Sequence, residues 1–269
     1  MELKDSASVE KKDDRYFSRA VAKSFFMLDL LNESVTSLGL NEMAIRSGLT
    51  KTSAYRLLYT LQQLAFVEQS SDGRYAIGSR GRIHPTMRIA NTLRVAELHS
   101  ATELLKQINE TVSVAVPFSN HIEVVRVFES TRVVRMANTV GRILSPHASS
   151  LGKAVSAFQP EDIQQRLLMS YGLVRFTPNT IVDEGDLERE FAETRHRGYS
   201  MEDEESTPDG FCLGVPLLLT SRTAVGAMSV SFPKSRMPSG QDRFDIVTRL
   251  QKAADGICKE LRRSLPGLP

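Results

Sequence analysis

Cys212 and His147 supply a thiol and an imidazole, the two groups from which a nucleophile and its base can be built. Asp203, Glu204 and Glu205 add carboxylates that could serve as acid and base. Nothing in the chain orders them. It has no serine on a strand-to-helix elbow, no phosphate-cradling glycine loop, and no Asp/Glu set with metal-binding period. The run Met201–Glu205 reads more simply as a solvated strand end. A metal needs three or four convergent ligands at short spacing, and five scattered histidines with two cysteines do not offer them. No metal and no cofactor is expected, and an enzyme using Cys212 and His147 is kept as the alternative reading.

A second set of residues has a different use. Between Lys51 and Leu64, Ala54, Leu57, Leu58, Leu61 and Leu64 recur with helical period and must face inward. The opposite face is then fixed by geometry and offers Lys51, Thr52, Ser53, Tyr55, Arg56 and Tyr59, concentrated at the N-terminal end. That end of a recognition helix enters the major groove of DNA. Arg56 suits bidentate contact to guanine, and Thr52 and Tyr55 can reach bases or phosphates. Lys51 and Ser53, beside the free amides of the first turn, suit phosphate positioning.

A third set begins at SPHASSLGKA. Ser145-Pro146 precede a helix whose first amides, near Ser149 to Lys153, are free to bind a carboxylate. Ser149 and Ser150 add hydroxyls, and Gly152 allows close approach. Cys212, Ser229 and Ser231 fall on expected strands, with Ser229 and Ser231 on the same side of a sheet.

The elements that must hold these groups follow in order. Residues 1–14 read as a flexible tail. Val21, Phe25, Leu28 and Leu31 form one helical stripe, and Leu40, Met43 and Ala44 share the face of a second helix that Gly48 can end in left-handed conformation. A three-residue turn leads to Thr50, placed to cap the helix at Lys51. FVEQSSDGRYAIG then reads as a hairpin turning at Asp72-Gly73, with Arg74 at its tip, over the adjacent minor groove or backbone. Helix, helix, short turn, helix and hairpin is the order of a winged helix-turn-helix, assigned to residues 15–80.

Residues 81–110 are expected to form a linker helix, started by Pro85 and running to about Ile108. From residue 111 to 265 strands and helices mix without regular alternation. TVSVAVPF, HIEVVRVFE and VVRMANT read as strands, as do the segments from Tyr199, Phe211 and Val225. Helices are expected at His147–Phe158, Glu161–Met169, Gly185–Arg197 and Ser239–Arg262. An α+β domain with an antiparallel sheet flanked by helices is the expectation.

Bulk composition agrees with two domains in 269 residues, 41% hydrophobic and 25% charged. No apolar run approaches the roughly 20 residues that span a bilayer, and the N-terminus lacks the apolar stretch of a secretion signal. Two cysteines without pairing pattern suit reduced thiols, so a cytoplasmic protein with no membrane partner is expected. Net charge is only +2, but its distribution is uneven. Arg15 to Arg94 holds 11 Lys and Arg against 5 Asp and Glu, whereas Asp183 to Glu205 holds 3 against 10. A basic front and an acidic back suit a nucleic-acid-binding module joined to a separate domain.

GLNEMAIRSGLTKTSAYRLLYTLQQLAFVEQSSDGRYAIG resembles the N-terminal domain of the IclR family of bacterial transcription regulators. SPHASSLGKAVSAF resembles that family's H-A-[ST]-x-x-G-K-A helix start, FTPNTIVDEGDLEREFAETRHRGYSMEDEE its long helix-to-strand segment, and FCLGVPLLL and VGAMSVSFPKSR its last two strands. The likeness runs from residue 17 to 262. It implies a winged helix-turn-helix, a linker helix and a PAS/GAF-like effector domain, working as a homodimer or dimer of dimers on a double-stranded DNA operator. It further implies that Ser150, Leu151, Glu202, Cys212, Ser229 and Ser231 line a pocket for a small organic acid, with Leu144 as an apolar wall. Larger residues at Ser150 and Leu151 than some members carry imply a differently shaped pocket. Phe232-Pro233 after Ser231, where many members have Gly-Pro, resembles members that answer to sugar acids. Repression is the expected sense of regulation.

Overall fold

In the computed structural model, which describes residues 18–34, 36–81, 85–219 and 223–265, the chain divides into two units, residues 1–83 and 84–269. The expected tail of residues 1–14 lies outside the described residues.

The first unit packs α1 (Arg19–Glu33), α2 (Leu40–Ser47) and α3 (Lys51–Gln63) with a two-stranded hairpin, β1 (Val67–Gln69) and β2 (Tyr75–Ile77). Gly48, at φ 62°, closes α2 and returns its amide to Ala44 and Ile45, as expected of a left-handed stop. Two residues later Thr50 caps α3, its hydroxyl accepting from the Ser53 amide at 3.2 Å. Met27, Leu28, Leu31, Met43, Ala44, Ala54, Leu58, Leu61, Val67 and Tyr75 form the core. Tyr75 exchanges two main-chain hydrogen bonds with Leu38, at 2.7 and 2.8 Å, which ties the hairpin to the segment before α2.

Two expectations about burial need correction. Only the lower half of the α1 stripe is covered: Leu28 and Leu31 are buried, but Val21 is 52% and Phe25 62% exposed. Leu64 is 47% exposed rather than inward. Helix α3 ends at Gln63, Leu64 is its cap, and Ala65 at φ 59° turns the chain away toward β1.

The second unit is built on a six-stranded antiparallel sheet. Its strands are β3 (Thr111–Pro117), β4 (Ile122–Phe128), β5 (Ile143–Leu144), β6 (Ser200–Asp203), β7 (Gly210–Leu218) and β8 (Ala224–Pro233), in the order β5-β4-β3-β8-β7-β6. Alternation sorts the two faces. Val112, Val114, Leu213, Val215, Met228 and Val230 meet α4 (Pro85–Val95), α5 (His99–Ile108) and α9 (Gly240–Ser264) on one side. On the other, Ala115, Val124 and Ala227 meet α6 (Ser150–Ser156) and α7 (Glu161–Tyr171). Helix α8 (Glu184–Arg197) packs Leu187 and Phe191 against Ala157, just past α6.

The expected single linker helix is two. Helix α4 stops at Val95 and α5 begins at His99, and both pack into the core of the second unit. An unbroken helix would carry the buried positions Ile89, Ala90 and Leu93 on to Glu97. The break leaves Glu97 in solvent and buries Leu98 instead.

VVRMANT is not a strand. Val133 is 96% exposed, and the free edge of β4 is taken by β5, pairing Ile122 with Leu144. Asn109 diverts the chain: its carbonyl accepts from Ser130 Oγ at 2.7 Å and Arg132 Nε at 3.1 Å, and its side chain accepts from the Thr131 amide at 3.0 Å. Residues beyond that anchor cross over the sheet instead of joining it.

Candidate functional site

In the first unit, Lys51, Thr52, Ser53, Tyr55, Arg56 and Tyr59 all lie exposed on one side of α3, opposite buried Ala54, Leu58 and Leu61. The side chains of Lys51 and Arg56 make no hydrogen bond or ion pair among the described residues. By contrast Arg46, on α2, is held by Glu42 at 2.6 Å. Two cations without a partner among the described residues, in the first two turns of a helix, form a surface for a polyanion. The rings of Tyr55 and Tyr59 lie 6.3 Å apart on the same face.

Arg74 has another task. Its guanidinium donates to the Ser37 carbonyl and, at 3.2 Å, to Ser37 Oγ. The side chain expected to hang from the hairpin tip is thus used to fasten the hairpin to the loop before α2. At the tip itself, Gly73 takes φ 81° and Asp72 accepts from Ser70 Oγ and the Arg74 amide.

In the second unit a pocket of about 60 Å³ opens between α6 and the sheet. Leu144, Ser149, Ser150, Leu151, Glu202, Cys212, Ser229 and Ser231 line it. Close packing of α6 on the sheet creates it. A side chain on Gly214 would come within 2.7 Å of the Ser150 carbonyl, and Ser200 Oγ donates to that carbonyl at 2.6 Å. Gly152 does not line the pocket. A methyl there would overlap the Ser145 carbonyl oxygen, so its close approach is to its own chain, not to a ligand. Ser149 caps α6 by accepting from the Gly152 amide at 3.0 Å, which consumes one of the amides expected to be free for a carboxylate.

Six further residues line the pocket: Met136, Ala137, Asn138, Arg142, Ser206 and Thr207. The first three belong to the segment read as a strand, which hid their position. Asn138 is anchored by donating to Ser113 Oγ at 3.0 Å.

The acidic run Met201–Glu205 is not a solvated strand end. Glu202 is buried, and its Oε1 accepts from the amides of Glu205 and Ser206 at 3.1 Å and from Ser206 Oγ at 3.2 Å. Asp203 and Glu204 both pair with Lys234. Glu205 receives Lys153 Nζ at 2.7 and 2.9 Å. Each carboxylate in the run is engaged in holding the turn at 202–207.

The matching family models settle the kinship. The model for the IclR helix-turn-helix domain covers residues 20–71, and that for the C-terminal domain of the bacterial transcriptional regulator IclR covers residues 89–259. The chain belongs to the IclR family. It is 32% identical over 223 residues to the transcriptional repressor IclR of Escherichia coli, covering 81% of each chain. It is 30% identical over 253 residues to the acetate operon repressor of Salmonella typhimurium, covering 93% of this chain and 90% of that one. Among solved structures, an IclR homologue from Microbacterium hydrocarbonoxydans complexed with 4-hydroxybenzoate shares the fold, with a TM-score of 0.56 at 22% identity. That likeness covers 91% of this chain and 99% of the other.

Within this IclR-family chain the thiol and imidazole of the alternative enzyme reading are each engaged with other groups, and no hydrogen bond joins them among the described residues. Buried His147 places Nε2 2.9 Å from the Val174 carbonyl and stacks on Phe176, with ring centroids 6.0 Å apart. Burial holds its pKa below the usual histidine value. Cys212 donates to Ser231 Oγ at 3.3 Å, and burial raises its thiol well above the ordinary cysteine value. Such a thiol is a poor nucleophile. No helix among the described residues is long and apolar enough to cross a membrane.

Proposed function

We propose that this chain is a cytoplasmic, DNA-binding repressor whose grip on a double-stranded operator is set by a small organic acid in the pocket beneath α6, and that it is not an enzyme. The observation that carries the DNA half is the exposed pair Lys51 and Arg56, unpaired among the described residues, in the first two turns of a buried-backed helix in a helix-turn-helix. Support for repression comes from the repressor relatives, and support for an acid from the 4-hydroxybenzoate complex. The protein works as a homodimer or dimer of dimers, with paired recognition helices about one DNA turn, roughly 34 Å, apart.

Within the second unit the pocket occupies one face of the sheet, while α4 and α5 occupy the other. A ligand that binds one arrangement of the sheet and α6 better than another shifts the population of that arrangement. Helix α4 feels the shift through β3 and β4, on which it packs.

The double substitution Ser229→Ala, Ser231→Ala tests the pocket half. Ser229 is buried and its hydroxyl makes no hydrogen bond among the described residues, so it is available to a ligand. Operator titrations should show a response to acid blunted by about tenfold or more, with acid-free binding retained. Simultaneous loss of acid-free binding and of the melting transition would instead make both serines folding residues.

A further inference from the structure

The pocket carries one cation, Arg142, and one carboxylate, Glu202, among its described lining residues, and they sit in opposite environments. Glu202 is buried, with Oε1 accepting from three donors; Oε2 takes no hydrogen bond from a described N–H or O–H, and the Cys212 thiol lies within hydrogen-bond reach of the carboxylate. Arg142 is exposed, and its guanidinium makes no hydrogen bond, ion pair or ring contact among the described residues.

The backbone that carries Arg142 is nevertheless fixed. Its amide donates to the Thr139 carbonyl at 3.2 Å, and its carbonyl accepts from the Val124 amide at 3.0 Å. The Gly141 amide donates back to the Val124 carbonyl at 2.8 Å, with Gly141 at φ 89°, a conformation that favours glycine. Two residues on, Leu144 in β5 lines the same pocket. A rigid base with an unpaired charged end is suited to meet an anion.

We infer that Arg142 fixes the carboxylate of the effector and sets its charge specificity, and that the pocket therefore takes a hydroxy acid. This rests on the effector reading above. A ligand carboxylate beside Glu202 would face a like charge in a buried place, so the acid end must lie toward Arg142. Beyond the Cys212 thiol, a weak donor, Glu202 can take a stronger one from the ligand. A hydroxyl on the ligand supplies one, whereas the keto oxygen of a keto acid cannot. Ser150, Ser229 and Thr207 add hydroxyls that can serve the same ligand. A neutral polyol would satisfy the hydroxyl positions and leave Arg142 unmatched; a keto acid would do the reverse.

Calorimetric titration of the full-length protein with D-glycerate, D-gluconate, pyruvate and glycerol tests this. At least one of the two hydroxy acids should bind the wild type, and pyruvate and glycerol should bind roughly tenfold more weakly or less. Arg142→Gln should reduce affinity for the hydroxy acid roughly 10- to 100-fold, the range of a charge-assisted hydrogen bond, and Arg142→Lys should restore part of it. The melting temperature of each variant reports that it folds. Equal affinity of wild type and a folded Arg142→Gln for the same acid overturns the role of Arg142, and pyruvate binding as tightly as glycerate overturns the hydroxy-acid class. If none of the four binds the wild type, this inference falls, and titration with 4-hydroxybenzoate then decides separately whether the organic-acid reading stands.

Discussion

Replacing Lys153 by alanine is expected to cost the second unit about 3–5 kcal/mol of stability, the usual penalty for removing one partner of a buried ion pair. For a unit of this size that lowers its melting midpoint by about 10 °C or more. Lys153 is 1% exposed, and its Nζ lies 2.7 and 2.9 Å from the Glu205 oxygens and 3.3 Å from Glu190 Oε1. Arg197 also reaches Glu190, at 2.7 Å. Without the lysine, Glu205 keeps its burial and loses its partner. The consequence reaches the pocket, because Lys153 lies on α6 beside Ser150 and Leu151, while Glu205 lies in the turn that carries Glu202, Ser206 and Thr207.

The size of that loss depends on pH. Burial raises the Glu205 carboxyl to about 7 even with Lys153 beside it. The folded chain therefore binds this proton more tightly than the unfolded chain. The stabilising contribution is fully present below about 4.5 and is lost as pH climbs through 7. Removing Lys153 raises the carboxyl further, so the gap in melting midpoint between wild type and Lys153→Ala should widen from pH 6 to pH 8. Glu205→Gln should flatten the pH dependence over the same interval. Midpoints that coincide at both pH values would show that this ionic cluster does not hold the unit together.

Arg56→Ala is expected to weaken specific operator binding by about 1–3 kcal/mol, roughly 5- to 150-fold, and to relax the preference at one base position. Lys51→Ala should act differently, weakening all sequences alike and lowering the salt slope by about 1. Arg46→Ala is the control, since Glu42 already occupies that guanidinium. Competition binding against a library of operator variants separates the three. An unchanged base preference in Arg56→Ala would remove that residue from the reading role.

Much of this architecture was legible because local chemistry and tertiary packing agree. Gly48 and Thr50 mark the end of one helix and the start of the next, and the Ala54, Leu58, Leu61 stripe fixes which way Lys51 and Arg56 face. The pocket serines were legible from alternation on β8 together with the family resemblance. What was missed depends on partners distant in sequence. Nothing local says that Asn109 will capture Ser130 and Arg132 and turn the next segment over the pocket, bringing Met136, Asn138 and Arg142 to its rim. Nor does an acidic run announce that Glu205 will meet Lys153, 52 positions away. The linker break was readable in principle, since a continuous helix would have put Glu97 on its buried side. Arg74 shows the opposite error: a residue at a hairpin tip looks free until its contact with Ser37 is seen.

The most direct test of the account is a fluorescence anisotropy titration of the full-length protein on the DNA upstream of its own gene and on an unrelated duplex. It would be run at 50 and 200 mM salt, with and without D-glycerate or D-gluconate. Selective binding to the upstream DNA is expected, weakening steeply with salt, on the order of a thousandfold or more if six or more phosphates are contacted, and shifting when a hydroxy acid is present. Equal affinity for both duplexes, or binding indifferent to salt, would contradict the claim that α3 reads DNA.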